Sequence, residues 1–143
     1  MKTNQQLHDA ITLGWCIELL QAFFLVADDV MDRSKTRRGK PCWYLLPKVK
    51  EIAINDSFLL ESFVFDTIRR TFEGRSSSRT TELVNLFLEV TLQTEIGQLH
   101  DLTSQPLDGK PDLKRFTLKR YRQIVKYTTA FSSFYLPVAC GMI

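Results

Sequence analysis

The sequence predicts an all-α fold, and three observations carry that reading. Between Leu13 and Ala27 only Glu18 and Gln21 are strongly polar, a run far longer than a strand and apolar on nearly every side of a helix. Further along, Leu83, Leu86, Phe87, Val90 and Thr94 recur at three- and four-residue spacing, as one face of a helix does. No stretch stands out that alternates with the period of two of a half-buried strand, and no internal repeat does either.

Taken in order, the first helix covers about residues 7–31 and, apolar nearly all round, is expected to be buried against several neighbours. Residues 33–50, with Gly39, Pro41 and Pro47, read as a loop that Trp43 and Tyr44 pin to the core. Asn55 or Asp56 can cap a second helix running to about residue 72, with Phe58, Leu59, Phe63 and Ile68 as its apolar stripe. Residues 73–79 form a turn, and Thr80 or Thr81 opens a third helix that ends near residue 102. A surface loop over 104–112 leads to a fourth helix, capped by Asp112 and extending to about residue 133, which Pro137 kinks or ends. The apolar close, LPVACGMI, reads as a chain cut inside its fold.

Composition bounds the rest. At 143 residues, 44% hydrophobic and 24% charged, the chain is sized for one globular domain with a core. A net charge of +3 makes no strong case for nucleic acid or a membrane surface, whereas a site for anionic phosphates fits it. Cys16, Cys42 and Cys140 are odd in number and lack CxxC spacing, which points away from disulfides and zinc and towards a reducing, cytoplasmic compartment. The polar MKTNQQLHDA lacks the apolar core of a signal peptide, and the run after it reads as too short and interrupted to span a bilayer. The sequon at Asn55 is accordingly read as fortuitous.

Chemistry concentrates in FFLVADDVMDRSKTRRG, from Phe23 to Gly39. Asp28 and Asp32 stand four apart and share a helical face, with Asp29 about 100° round the cylinder. Mutual repulsion and the negative end of the helix dipole oppose three carboxylates there, so a cation should compensate them. Mg²⁺ suits the site, because it binds one or two carboxylates and fills other positions with water and phosphate oxygens. Arg37 and Arg38 follow within a short turn, and their guanidinium forks hold phosphate oxygens bidentately. Asp28, Asp29, Asp32 and Arg37 are thus the candidate catalytic residues. A plain solvated helix end is the alternative, though it has no use for the buried run before it or the TRRG after it.

Other features are open on residue pattern alone. Phe23 and Phe24 stand roughly 6 to 8 Å below the aspartates on a helix rising about 1.5 Å per residue, as a cavity floor or as ordinary core. Thr94, Gln98 and Asp101 line one face of the third helix, which an ordinary polar edge would also do. His100 has only His8 for company and no HExxH, and reads as a surface residue. Arg115, Lys119, Arg122 and Lys126 form a basic stripe, either a solvated face or the contact face of a polyanion-binding helical module.

FFLVADDVMD followed by TRRG, then TEIGQ and VKYTTAFSSFYLP, resembles the trans-isoprenyl diphosphate synthases, most closely the eukaryotic farnesyl diphosphate synthases. The likeness runs from Leu13 to Ile143 and matches a central block of a family whose members are more than twice as long. The resemblance implies that 1–143 is a single partial polyprenyl-synthase domain, part of an isoprenoid-synthase-type helical bundle, carrying the first aspartate-rich motif. It implies Mg²⁺ held by Asp28, Asp32 and Asp101, condensation of isopentenyl diphosphate with dimethylallyl or geranyl diphosphate to farnesyl diphosphate, and a homodimer in the complete protein. It places Gln21 and Arg38 at isopentenyl diphosphate, Arg37 at the allylic diphosphate, and Gln98 and Thr129 among the substrate-binding residues. It also gives Phe23 and Phe24 the task of stopping the growing tail at farnesyl length.

Two departures accompany the likeness. Thr128 stands where the family usually has a lysine in the KYTTAF segment, and Lys126 points about 160° away from it on a helix. The sequence also holds no second DDxxD and no counterpart of the family's upstream basic residues. A truncated or degenerate paralogue, binding or dimerising without catalysis, is therefore a second reading.

Overall fold

The computed structural model describes residues 4–104 and 112–143, and its described elements are overwhelmingly helical, as the sequence leads one to expect. The chain divides into two compact units, residues 1–84 with residue 143, and residues 85–142.

In the first unit α1 (Asn4–Met31) packs on α2 (Ile52–Phe72). The buried residues of α1 are Asp9, Leu13, Cys16, Leu20, Phe23 and Asp29, largely a three-and-four stripe. The expectation of burial on nearly every side is corrected here. Leu7, Ile11 and Trp15 are exposed, Trp15 by 66%, because one helical partner covers one stripe. A second correction concerns length. At 28 residues α1 is long and apolar enough to cross a membrane by those criteria alone, and one stripe of it, Asp9 and Asp29 included, is buried in this unit.

The expected stripe of α2 is met at Ile68, which is buried, and missed before it. The buried residues are Ala53, Ser57, Val64, Ile68 and Phe72, while Phe58, Leu59 and Phe63 face outward. Small side chains let α1 approach closely, and the Cys16 thiol reaches the Val64 carbonyl at 3.9 Å. Hydrophobicity counting favours aromatics and so selects the wrong face. Nor does Asn55 or Asp56 cap the helix. It starts after Glu51, and the Asp56 carboxylate accepts instead from Trp43 Nε1 at 2.8 Å. All three cysteines are free and buried, and burial pushes the Cys16 thiol up to about 11.

One buried ion cluster of this unit has no local signature in the sequence. Asp9 is buried, and Arg75 donates to its two oxygens at 3.1 and 2.9 Å, Gln5 donates at 2.8 Å, and Arg79 lies at 3.7 Å. Burial alone would raise the Asp9 carboxyl, but the bonds from Arg75 and Gln5 and the charges of Arg75 and Arg79 outweigh it and hold it below its ordinary range. A depressed carboxyl stabilises the fold above its unfolded value of about 3.9, and that stability is lost as pH falls through the lower folded value. Asp9→Asn is therefore expected to cost about 2 kcal/mol at neutral pH in urea unfolding, with the gap to the unchanged protein narrowing below about pH 4. A gap that is constant from neutral to acid pH would refute this.

Helix α3 (Ser77–Leu102) contributes its first turns to the first unit and the remainder to the second. Ser76 rather than Thr80 caps it, its hydroxyl accepting from the Arg79 amide at 3.3 Å. The expected stripe of Leu83, Leu86, Phe87, Val90 and Thr94 is buried throughout. The loop expected over 104–112 lies mostly outside the described residues.

The expected fourth helix is broken into parts. A 3₁₀ turn at Leu113–Arg115 is capped by Asp112, whose side chain accepts from the Lys114 amide. Helix α4 (Leu118–Val125) starts afresh behind Thr117, whose hydroxyl accepts from the Arg120 amide, and a ten-residue π-helical segment, Lys126–Tyr135, leads into α5 (Leu136–Met142). The basic stripe is thereby broken across three elements, with Arg115 turned to Asp112 at 3.7 Å. Pro137 does not end the run but sits inside α5. Proline lacks the amide and crowds the carbonyl four residues back, and the wider π turn before it, with the Leu136 amide on the Phe131 carbonyl, relieves that demand.

Gly97 fixes where α3 meets the π segment. A Cβ there would stand 2.7 Å from Tyr127 Cβ and 2.8 Å from the Thr128 amide nitrogen. Helix propensity alone would make Gly97→Ala stabilising by about 1 kcal/mol. Overlap with main-chain atoms, worth about 3 kcal/mol, should win, for a net loss of about 2 kcal/mol in denaturant unfolding. A gain in stability would show that the contact yields.

Candidate functional site

The site begins where α1 stops. Asp28 is about a quarter exposed and Asp29 is buried, while Asp32 is exposed just beyond the last helical residue, its amide on the Asp28 carbonyl at 2.8 Å. Arg33 ends the helix with a positive φ of 54°, and the Ser34 amide closes onto the Asp29 carbonyl at 3.0 Å.

The segment that follows, expected as a loop, is a small hairpin. Strand β1 (Thr36–Arg37) pairs antiparallel with β2 (Lys40–Pro41), Thr36 opposite Pro41 and Arg37 opposite Lys40. The two turn residues, Arg38 and Gly39, both have positive φ, 52° and 77°, the signature of a type I′ turn. Two-residue strands are too short to show alternation, so only the Arg-Gly pair hinted at this. The hairpin is pinned by Cys42, 1% exposed, whose amide bonds the Lys35 carbonyl at 3.2 Å, and by Tyr44, whose hydroxyl donates to the Ser34 carbonyl at 2.9 Å. Trp43 was expected to share that task, but it is 47% exposed and reaches α2 through Asp56.

The turn over 32–35, with Arg33 at positive φ and the Ser34 amide on the Asp29 carbonyl, brings Arg37 back onto α1. Its Nε donates to Asp29 Oδ1 at 3.1 Å, and its Nη2 donates to Asp29 Oδ1 at 2.6 Å and to Asp28 Oδ2 at 3.1 Å. Hydrogen bonding to Asp29 above all raises the guanidinium's affinity for its proton. Burial, and then hydrogen bonding to Asp29, push the Cys42 thiol up as well. The crowded carboxylates are compensated, as expected, and the compensating cation is part of the chain.

A divalent cation fits the carboxylates at this end of α1. Among the described residues no group of three or more His, Cys, Asp or Glu side chains converges as a ready cage. Asp28 and Asp32 are accessible hard-oxygen donors, and two carboxylates completed by water and diphosphate oxygens are a Mg²⁺ environment. The guanidinium drawn to Asp28 and Asp29 shows directly that the site attracts positive charge. Below it Phe23 is buried and Phe24 half-buried, with ring centroids 4.7 Å apart, and Gln21 is exposed. Arg38 is exposed at the hairpin tip.

The remaining candidates lie in the second unit. Thr94 is buried and donates to the Val90 carbonyl at 2.8 Å, Gln98 is half-buried, and Asp101 and His100 are exposed. Asp101 borders a cavity of about 510 Å³ together with Arg115, Phe116, Arg120 and Tyr121. The Thr128 hydroxyl donates to the Ile124 carbonyl at 3.0 Å and lies 3.4 Å from that of Thr129, which is exposed. The structure thus brings Asp28, Asp29 and Arg37 into one bonded group, while Gln98, Asp101 and Thr129 belong to the other unit.

A polyprenyl synthetase family model matches residues 1–143, the whole sequence. The chain belongs to the polyprenyl synthetase family. Within that family it is similar to farnesyl pyrophosphate synthase of Saccharomyces cerevisiae, 56% identical over 91% of this chain and 36% of the yeast protein. It is 55% identical to the Bos taurus farnesyl pyrophosphate synthase over 95% of this chain and 38% of that one. Among solved structures, T. brucei farnesyl diphosphate synthase superposes with a TM-score of 0.91 at 42% identity, covering 97% of this chain and 42% of that one. The same enzyme complexed with risedronate superposes at 0.86, with 42% identity over 96% of this chain and 41% of that one. This polyprenyl synthetase family member therefore has the all-α isoprenoid-synthase fold and spans well under half the length of those relatives.

Proposed function

We propose that this chain is the part of a farnesyl diphosphate synthase that carries the first aspartate-rich motif, within one partial domain over 1–143. Its task in the whole protein is the condensation of isopentenyl diphosphate with dimethylallyl or geranyl diphosphate. The observation that supports this most is the group of Asp28, Asp29 and Arg37 at the end of α1, with Arg38 displayed on the turn beside it.

In this reading Asp28 and Asp32 would hold Mg²⁺. When bound, the cation supplies Lewis-acid neutralisation of the departing pyrophosphate. Arg37 binds the allylic diphosphate, and Arg38 binds isopentenyl diphosphate, with Gln21. Orientation lets the allylic C–O bond break with its electron pair leaving on pyrophosphate, after which the isopentenyl double bond supplies the pair for the new C–C bond and a proton is lost. Phe23 and Phe24 exclude water from the cationic carbon and set the length of the tail. A homodimer and a cytoplasmic setting go with the family reading, and the outward Phe58, Leu59 and Phe63 give α2 an apolar face for assembly.

The test is calorimetric titration of a bisphosphonate, as in the T. brucei complexes, into the purified chain with and without Mg²⁺. Binding that requires the metal is expected, and equal binding in excess chelator would sink the proposal. Thr128, in place of the family lysine, favours a second reading as a binding paralogue with weakened hold on the allylic diphosphate.

A further inference from the structure

We propose that Arg37 is a tethered counter-cation that keeps bare divalent ions off the aspartates and hands Asp28 over only to a metal that arrives with diphosphate. This inference rests on the reading of the site given above and adds an order of events to it.

The two carboxylates that Arg37 bridges are unlike. Asp29 has a side chain 5% exposed and receives both Nε and Nη2, the latter at 2.6 Å. Asp28 is 26% exposed and receives Nη2 at 3.1 Å. The bond to Asp29 is thus the anchor, shielded from water, and the bond to Asp28 is the one a competitor can reach. With Arg37 in place the net charge of Asp28, Asp29, Asp32 and Arg37 is two negative instead of three, so a bare divalent ion meets a weakened attraction and must displace a guanidinium before it gains the full attraction of Asp28. A diphosphate changes that balance. Its oxygens offer the guanidinium an alternative acceptor, and its charge adds to that of the aspartates in holding the metal. Arg37 need only swing about its anchor on Asp29. The reversal after α1, with Arg33 at positive φ and the Ser34 amide on the Asp29 carbonyl, gives the arginine this geometry, and pairing with β2 holds β1 in place.

The experiment measures Mn²⁺ binding from the electron-spin-resonance signal of the free ion, for the unchanged chain and for Arg37→Gln, with and without inorganic pyrophosphate. Arg37→Gln should bind bare Mn²⁺ about ten-fold or more tighter and Mn²⁺ with pyrophosphate about ten-fold or more weaker. Bare-ion affinity that is unchanged or reduced in Arg37→Gln would overturn the counter-cation role. A tighter bare ion with unaltered pyrophosphate binding would overturn the hand-over. If the unchanged chain binds Mn²⁺ no better with pyrophosphate than without, the proposed function fails, yet the bare-ion comparison still decides this point. Should Arg37→Gln not fold, the Nε–H resonance of Arg37 in the unchanged chain gives the answer. It should stay in place with Mg²⁺ alone and move when pyrophosphate is added, and movement with Mg²⁺ alone would refute the proposal.

Discussion

Changing Asp28 to alanine is expected to weaken Mg²⁺-dependent bisphosphonate binding by about a hundredfold or more, while leaving the fold nearly as stable as before. Outer partners of metal ligands are each worth roughly 10- to 100-fold in affinity, so a direct carboxylate oxygen should reach at least the top of that range. Stability is spared because Asp28 is the more exposed of the two aspartates, and Arg37 keeps its shielded bonds to Asp29 when Asp28 is gone. Calorimetry and urea unfolding on the same variant separate these effects. Binding that survives Asp28→Ala unchanged would remove Asp28 from the cation site, whatever the relatives use.

How far the sequence shows this in advance varies from element to element. The apolar run before Asp28 and the stripe from Leu83 to Thr94 announce helices because periodicity is a local property, and both are helices. The phase of α2 escaped because its seam is built from Ala53 and Ser57, which hydrophobicity ranks below Phe58 and Phe63. The π segment escaped because a proline announces a break, whereas here Pro137 is accommodated by the wider turn before it, with the Leu136 amide on the Phe131 carbonyl. At the site, the need for a cation beside Asp28, Asp29 and Asp32 was legible from charge crowding alone. That Arg37 folds back to meet it was not, since this depends on the turn that Arg33 makes at positive φ just after the helix. Asp9 and Arg75 lie 66 residues apart, and no spacing rule joins them.

The 143-residue polypeptide by itself is expected not to elongate prenyl chains at an enzymic rate. It spans 36% of its yeast relative and 42% of the solved T. brucei enzyme, and its sequence has one DDxxD. As the allylic C–O bond breaks, negative charge accumulates on the pyrophosphate, and stabilisation that grows with that charge lowers the barrier. Asp28, Asp32 and Arg37 can grip a metal–diphosphate from one side, which suffices for binding in the ground state. A grip from the other side acts mainly in the transition state, so its absence is felt in the rate more than in affinity. At about 1.36 kcal/mol per factor of ten, losing roughly 5 kcal/mol of such stabilisation slows the reaction more than a thousandfold. The measurement is a radiolabelled transfer assay with geranyl and isopentenyl diphosphates and Mg²⁺, run beside the calorimetric titration. Metal-dependent binding without turnover is the expected pair of results. Farnesyl diphosphate appearing at about 1 s⁻¹ or faster would show that one aspartate-rich motif and this much of the bundle are enough.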